Sequence, residues 1–210
     1  MSSASCASDF SAWLVERVAT ARIAALCLLL AAVAWGAASE TLFWTVAVPI
    51  VLLVIQFRLW DDLAERAHDA FHHPARVAVR TAHASCFAAL AAVLAVVVAV
   101  LLAVTRDGMV LGAYGALLAA AAVFYKKSVV AIRHPWRTYA ILLKYPVFVA
   151  LCAGPAAPLR IAAASVAVFG VLAAFETLDD AVLRAASGRG FRAAGFVLLA
   201  VAGIATMVIS

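Results

Sequence analysis

The chain has 210 residues, of which 68% are hydrophobic and only 13% are charged, and its mean hydropathy is +1.09. A soluble domain carries roughly a quarter charged residues, so the composition excludes an ordinary soluble domain. It indicates a chain built of membrane-spanning segments instead. The formal net charge of +5 is interpreted as a report on membrane topology rather than on nucleic-acid binding, because Lys and Arg concentrate on the inner side of membrane proteins.

Apolar runs divide the chain from end to end. A membrane span needs about 20 apolar residues, and a backbone in lipid must satisfy its own hydrogen bonds, which favours helices. No linker marks a second domain, so residues 1–210 are predicted to form one all-α domain, a polytopic transmembrane bundle of about seven helices behind a cytoplasmic arm at 1–19. The predicted helices lie near 20–38, 41–57, 81–105, 109–124, 139–154, 159–175 and 191–209.

The N-terminal residues and the cysteines carry no signal of processing or metal binding. Residues 1–20 contain Asp9 and Glu16 and lack a charged n-region followed by an Ala-x-Ala site, so we expect no cleaved signal peptide. The four cysteines show no metal or redox spacing, and three of them lie in apolar runs. We therefore expect the cysteines to act as small buried hydrophobic residues.

The distribution of basic residues predicts the orientation. With the N-terminus inside, thirteen of the sixteen Lys and Arg residues fall in the arm and in the connections after the second, fourth and sixth segments. Arg106 and Arg160 fall outside, and Lys144 falls within a segment. This bias predicts an integral protein of the cytoplasmic (inner) membrane with its N-terminus inside. Both acidic clusters described below then face the cytoplasm.

The first acidic cluster follows the second apolar segment. Asp61, Glu65 and Asp69 are spaced i, i+4, i+8, so on a helix their carboxylates share one face. Three like charges repel one another, and we therefore expect a positive group between them. Carboxylates on one helical face suit Mg²⁺ holding phosphate oxygens, whereas ion pairs from Arg58 and Arg66 to the adjacent Asp62 would make the stretch an ordinary solvated helix.

The second acidic cluster lies in the stretch FETLDDAVLR near the end of the sixth segment. Its acids are Glu176, Asp179 and Asp180. Glu176, Asp180 and Arg184 repeat the i, i+4, i+8 spacing, and two helical ion pairs would also explain that pattern. The cluster gains weight because the predicted topology places it on the same side of the membrane as the first.

These motifs carry a resemblance to a known family. Asp61-Asp62-x-x-Glu65-x-x-x-Asp69 resembles the Asn-Asp-x-x-Asp-x-x-x-Asp signature of the UbiA superfamily of intramembrane prenyltransferases, which also follows the second transmembrane helix. FHHPARVAVR resembles the His/Asn-x-x-Arg-Pro stretch after that signature, and FYKKSVVAIRHP resembles the basic loop after the fourth helix. FETLDD falls where the family has its second acidic motif. The departures are Asp61 for Asn, Glu65 for Asp, Arg184 for an acid, and seven predicted helices where the family has nine.

The resemblance implies a reaction and its partners. A UbiA-type enzyme would transfer an isoprenyl group from a prenyl diphosphate to a lipid-soluble or aromatic acceptor within the membrane, with Mg²⁺ as cofactor. It implies catalytic roles for Asp61, Asp62, Glu65 and Asp69, and metal binding by Asp61, Glu65, Asp69, Glu176 and Asp180. The implied diphosphate ligands, whose charge the positive-inside rule explains equally well, are Arg76, Lys126, Lys127 and Arg133.

Other interpretations stay open. A shortened member of the family could have lost catalysis and kept a metal-binding or interaction role, as a homo-oligomer or with a partner subunit supplying the missing wall. His68, His72 and His73 match one histidine box of membrane di-iron enzymes, which need several boxes, so that match is interpreted as coincidental. A cation transporter would carry ionisable residues in the middles of its spans, where this sequence has almost none.

Overall fold

A computed structural model describes residues 5–38, 42–128, 135–154, 157–179 and 189–209 of the protein, and these residues form helices without any strand. The predicted all-α class is therefore confirmed for the described ranges. In chain order the helices are α1 (Cys6–Arg17), α2 (Ala21–Ala37), α3 (Phe43–His72), α4 (Val77–Arg80), α5 (Ala84–Thr105), α6 (Gly108–Ser128), α7 (Pro135–Leu142), α8 (Lys144–Ala153), α9 (Pro158–Asp179) and α10 (Arg189–Ile209).

Five of these helices are long and apolar enough to cross a membrane: α3, α5, α6, α9 and α10. α1 and α2 would form a sixth span together, but they are bent by 76° at their junction. Each predicted segment contains a helix, and the length and apolarity of these five support the prediction of transmembrane helices. The count of about seven spans is not reproduced, because α2 has only 17 residues and α8 only 10.

The bend between α1 and α2 has a local cause. α1 begins at the N-cap Ser5, whose hydroxyl accepts the amide of Ser8 at 3.2 Å, and it ends at Arg17. Thr20 then starts a new helix by accepting the amide of Ile23 at 3.3 Å. A second side-chain cap three residues after the first helix ends favours a new axis over continuation.

α3 carries the first acidic cluster and is much longer than predicted. Its 30 residues span about 45 Å at 1.5 Å per residue, against a hydrocarbon thickness of about 30 Å. The predicted end at residue 57 is wrong, because the helix continues to His72 and stops just before Pro74. The residue preceding a proline is disfavoured in helical conformation. The acidic cluster thus lies in the C-terminal half of a continuous helix that is longer than a membrane span requires.

The core lies between α2, α3, α8 and α9. Leu30, Ile50, Phe57, Phe148 and Val168 are buried there in one apolar cluster. The outer helices α5, α6 and α10 instead expose aliphatic side chains, and such a surface suits contact with lipid chains. This arrangement brings the polar ends of α2, α3 and α9 and the start of α8 together around one end of the bundle.

Two further contacts fix the bundle away from that end. A Cβ added at Gly170 would lie 2.6 Å from backbone atoms of α10, so α9 and α10 pack backbone against backbone there. At the opposite end, Arg106 donates to the carbonyl oxygens of Cys152 at 2.7 Å and Thr105 at 3.1 Å. Its guanidinium satisfies carbonyls that the ends of α5 and α8 leave without helical partners.

Candidate functional site

Asp61 lies in a polar cluster formed by three helices. Its Oδ1 accepts the hydroxyl of Tyr125 near the end of α6, and its Oδ2 accepts the ammonium of Lys144 at the start of α8. The side chains of Asp61 and Lys144 are only 13% and 8% exposed. The Lys144 nitrogen also lies 5.4 Å from the ring centroid of Tyr145 and 6.0 Å from that of Phe57, within the range of a cation–π contact.

Asp62 binds the N-terminal arm. It is 2% exposed and accepts the indole nitrogen of Trp13 at 2.8 Å. Arg17 donates to both of its oxygens, from Nε at 2.9 Å and from Nη2 at 2.6 Å. Burial lowers the pKa of Arg17, but the hydrogen bond and negative charge of Asp62 outweigh burial and leave that pKa above its ordinary value.

The N-terminal arm contacts the rest of the chain along its whole length. The sequence predicted a cytoplasmic arm but did not predict these contacts. Glu16 accepts the amide of Val77 at 2.9 Å, and Asp9 accepts the hydroxyl of Thr81 at 2.6 Å. The rings of Phe10 and Trp13 stack on each other, and both contact the ring of Phe87 edge-on. α1 is consequently a docked element that covers one side of the acidic helix.

A disulfide between Cys6 and Cys86 joins the arm to α5. The expectation that the cysteines act as small buried hydrophobic residues is wrong for this pair. It holds for Cys152, which is free and buried, whereas Cys27 is free and only partly buried. Disulfides persist in oxidising compartments, whereas the basic residues predict that this end of the bundle faces the cytoplasm. The thiol state of the pair in cells therefore reports on the orientation of the protein.

Asp69 forms the third ion pair of the acidic helix. It is 3% exposed, and its Oδ2 accepts Nη1 of Arg76. Arg76, expected to bind diphosphate, thus contacts a carboxylate of its own chain. Arg66 donates to the carbonyl oxygen of Thr81 at 2.8 Å, and Arg17 takes the position at Asp62 that the solvated-helix interpretation gave to Arg58 and Arg66. The expectation of positive groups beside the acids is confirmed, and these groups are Lys and Arg side chains of the protein itself.

The remaining predicted residues are more dispersed. Glu65 and Glu176 are partly buried, Lys126 is exposed, and Asp179 pairs with Arg22 of α2 at 3.0 Å. Arg133, Asp180 and Arg184 lie outside the described residues, as does the side chain of Lys127. The second acidic cluster is therefore described only for Glu176 and Asp179, and both of these line the cavity considered next.

A cavity of about 580 Å³ opens between α2 and α9 at the same end of the bundle. Polar residues of both helix ends and of the arm line its mouth: Glu16, Arg17, Thr20, Arg22, Glu176 and Asp179. Deeper along the same helices the lining is apolar, and it includes Leu29 and Val171. Arg58 also lines the cavity, and its Nε is shielded from solvent without a hydrogen-bond partner among the described residues.

The carboxylates of the described residues do not fit a bound Mg²⁺. Within those ranges, no three His, Cys, Asp or Glu side chains lie close enough together to hold a metal ion. The chemistry of the donors gives the reason, because Asp61, Asp62 and Asp69 direct oxygens at Lys144, Arg17 and Arg76. Magnesium demands near-ideal octahedral oxygen geometry, which oxygens bound to fixed cations do not provide.

Sequence reasoning missed the partners that define this arrangement. Lys144 was visible as a lone cation inside an apolar segment, a pattern that by itself marks a functional position. In the sequence, Arg17 indicates only the topology of the arm. Trp13 gave no signal, since nothing local connects it with Asp62, 49 residues away.

Comparisons of the chain with protein-family models, with curated proteins and with solved structures return no match.

Proposed function

We propose that the protein binds an isoprenyl diphosphate in the cavity between α2 and α9 and transfers the prenyl group to a lipid-soluble or aromatic acceptor. The observation that carries this proposal is the amphipathic lining of the cavity, with guanidinium groups at its mouth and aliphatic side chains deeper in the bundle. The motif resemblance to UbiA prenyltransferases supports the choice of ligand and reaction.

The mouth of the cavity offers cations suited to phosphate. Within the described ranges the Nε of Arg58 has no hydrogen-bond partner. A shielded guanidinium nitrogen without an acceptor is costly until an anion supplies one. Arg22 is 74% exposed and pairs with the half-exposed Asp179, an interaction worth little in water. A diphosphate can displace that pairing, because guanidinium binds phosphate oxygens in bidentate geometry.

The body of the cavity suits a hydrocarbon chain. Leu29 lies seven residues beyond Arg22 on α2, which places it about 10 Å deeper along the helix axis. Leu26, Leu172 and Phe175 line the wall between these depths. A volume of about 580 Å³ lies within the usual range for small-molecule sites, which are mostly apolar with a few placed polar groups.

The residues of the cavity would contribute three effects to transfer. Arg22 and Arg58 would hold the diphosphate and stabilise the charge that it gains as the allylic C–O bond breaks. The rings of Phe175 and Tyr145 would face the developing carbocation, and the apolar wall would exclude water from it. Mg²⁺, which the resemblance implies, would supply Lewis-acid stabilisation of the leaving group; the described carboxylates do not fit it, and no step here depends on it.

A second candidate function is binding without transfer. It is favoured by the ion pairs of α3, because Asp61, Asp62 and Asp69 fasten α8, α1 and the segment after α3 to the acidic helix. Carboxylates used in this way stabilise the bundle and need not take part in chemistry. The protein would then be a membrane receptor or interaction partner for an isoprenyl phosphate.

The test is an assay of diphosphate release by purified, folded protein. Geranyl, farnesyl and geranylgeranyl diphosphate would each be supplied with a panel of aromatic acceptors, with and without Mg²⁺. Release that requires an acceptor supports transfer. Saturable binding without release supports the second candidate, and the absence of both binding and release refutes the proposal. Farnesol, which has the chain without the anion, serves as the matched control ligand and is expected to bind more weakly.

A further inference from the structure

The ammonium of Lys144 fills the position beside Asp61 that an external cation would need. Both carboxylate oxygens of Asp61 are occupied, one by Lys144 and the other by the hydroxyl of Tyr125. The three groups come from α3, α8 and α6, and Lys144 and Asp61 are almost fully buried. This is a built arrangement rather than a chance surface pair.

Packing alone does not explain the charges. Two apolar side chains of similar volume would fasten α8 to α3 at least as well, because a buried ion pair regains little more than it loses on leaving water. Ionisable groups buried in membrane bundles are costly and are commonly functional. Arg76 neutralises Asp69 further along the same helix, so a second acid of the motif is also paired with a cation of the chain.

We propose that the Lys144 ammonium replaces a divalent cation at Asp61, so that the first acidic motif carries a fixed positive charge of its own. An ammonium and a metal ion compete for the same carboxylate lone pairs and repel each other when close. Removing the ammonium should therefore free Oδ2 of Asp61 for an external cation. The inference holds whether or not the cavity binds a diphosphate, because it concerns cation binding and not transfer.

The experiment uses Mn²⁺ as the probe and full-length protein in detergent micelles. Electron paramagnetic resonance of free Mn²⁺ gives the number and affinity of bound ions, and thermal unfolding with and without Mn²⁺ reports stabilisation. We expect the wild type to show no Mn²⁺ binding that depends on Asp61. Lys144→Met should gain one site per chain, at least tenfold tighter than any background site, and the additional change Asp61→Asn should remove it.

Three results would overturn the proposal. The first is Mn²⁺ binding by the wild type that Asp61→Asn abolishes, because the ammonium would then not occupy the site. The second is a folded Lys144→Met protein that gains no Mn²⁺ site, which would make the ion pair only a fastener. If Lys144→Met folds poorly alone, recovery by Mn²⁺ supports the proposal. The third overturning result belongs to the same case: Mn²⁺ does not restore the folding of Lys144→Met, although the double variant, which lacks both charges, folds normally.

Discussion

The bond between Arg17 and Asp62 should dominate the docking of α1, and its removal tests how the arm is held. Arg17→Met deletes two guanidinium bonds, at 2.9 and 2.6 Å, to a carboxylate that is 2% exposed. Removing one partner of a buried ion pair costs about 3–5 kcal/mol. Because the Arg17 side chain keeps 15% exposure and Trp13 still donates to Asp62, we expect about 3 kcal/mol, or about 100-fold in the docking equilibrium.

Arg22→Met is the matched control. It also breaks an Arg–Asp pair at 3.0 Å near the same end of the bundle, but its side chains are 74% and 44% exposed. Exposed pairs contribute about 0–1 kcal/mol, so the equilibrium should change by no more than about fivefold. Both variants remove an Arg–Asp ion pair, so the difference between their docking equilibria measures the effect of burial.

Hydrogen exchange followed by mass spectrometry measures the arm directly. In detergent micelles, with the disulfide intact, Arg17→Met should raise amide exchange in α1 by about 100-fold and leave α9 unchanged. Equal exchange of α1 in Arg17→Met, Arg22→Met and wild-type protein would refute the reasoning, since it would show that the ion pair does not hold the arm.

Three further predictions concern stability and covalent structure. Gly170→Ala should destabilise the bundle by about 1–3 kcal/mol because its Cβ meets the α10 backbone at 2.6 Å. Gly195→Ala, with open space around it, should leave the unfolding midpoint the same or slightly higher, because Ala favours helix over Gly; equal midpoints of the two variants would contradict the close packing of α9 and α10. Arg106→Met should lower stability by about 1.5–3 kcal/mol, the value of a hydrogen bond to a charged group, and an unchanged thermal midpoint would refute its capping role. Denatured protein prepared in air should take up two maleimides before reduction and four after it, and four before reduction would exclude the disulfide between Cys6 and Cys86.

The helical segments could be predicted from the sequence because long apolar runs in lipid have few alternatives to helix. The end of α3 could not be placed from apolarity, which falls at Arg58 while helix propensity does not. Eight of the fifteen residues from Arg58 to His72 are Ala, Leu, Arg or Glu, all good helix formers, and none is Gly or Pro. A boundary drawn from helix propensity, with Pro74 as the stop, would have come closer.

The acids of the candidate site could be predicted, but their partners could not. The i, i+4, i+8 spacing places side chains on one face of a helix without indicating what packs against that face. Arg17 comes from 45 residues before Asp62, and Lys144 from 83 residues after Asp61. Pairings at such separations depend on the tertiary packing of whole helices. The i, i+4, i+8 spacing predicted a positive group beside the acids, and the fold supplied Lys and Arg from its own elements.

The binding of farnesyl diphosphate to variants of two similar arginines tests the central claim most directly. Arg58 and Arg160 each have a shielded Nε without a hydrogen-bond partner among the described residues, but only Arg58 lines the cavity. With folded protein in micelles and radiolabelled ligand, the wild type should bind saturably. Arg58→Met should weaken binding by about 10- to 100-fold, as expected for a lost charge-assisted bond, and Arg160→Met should match the wild type. Absence of saturable binding by the wild type, or equal affinities in all three proteins, would contradict the account.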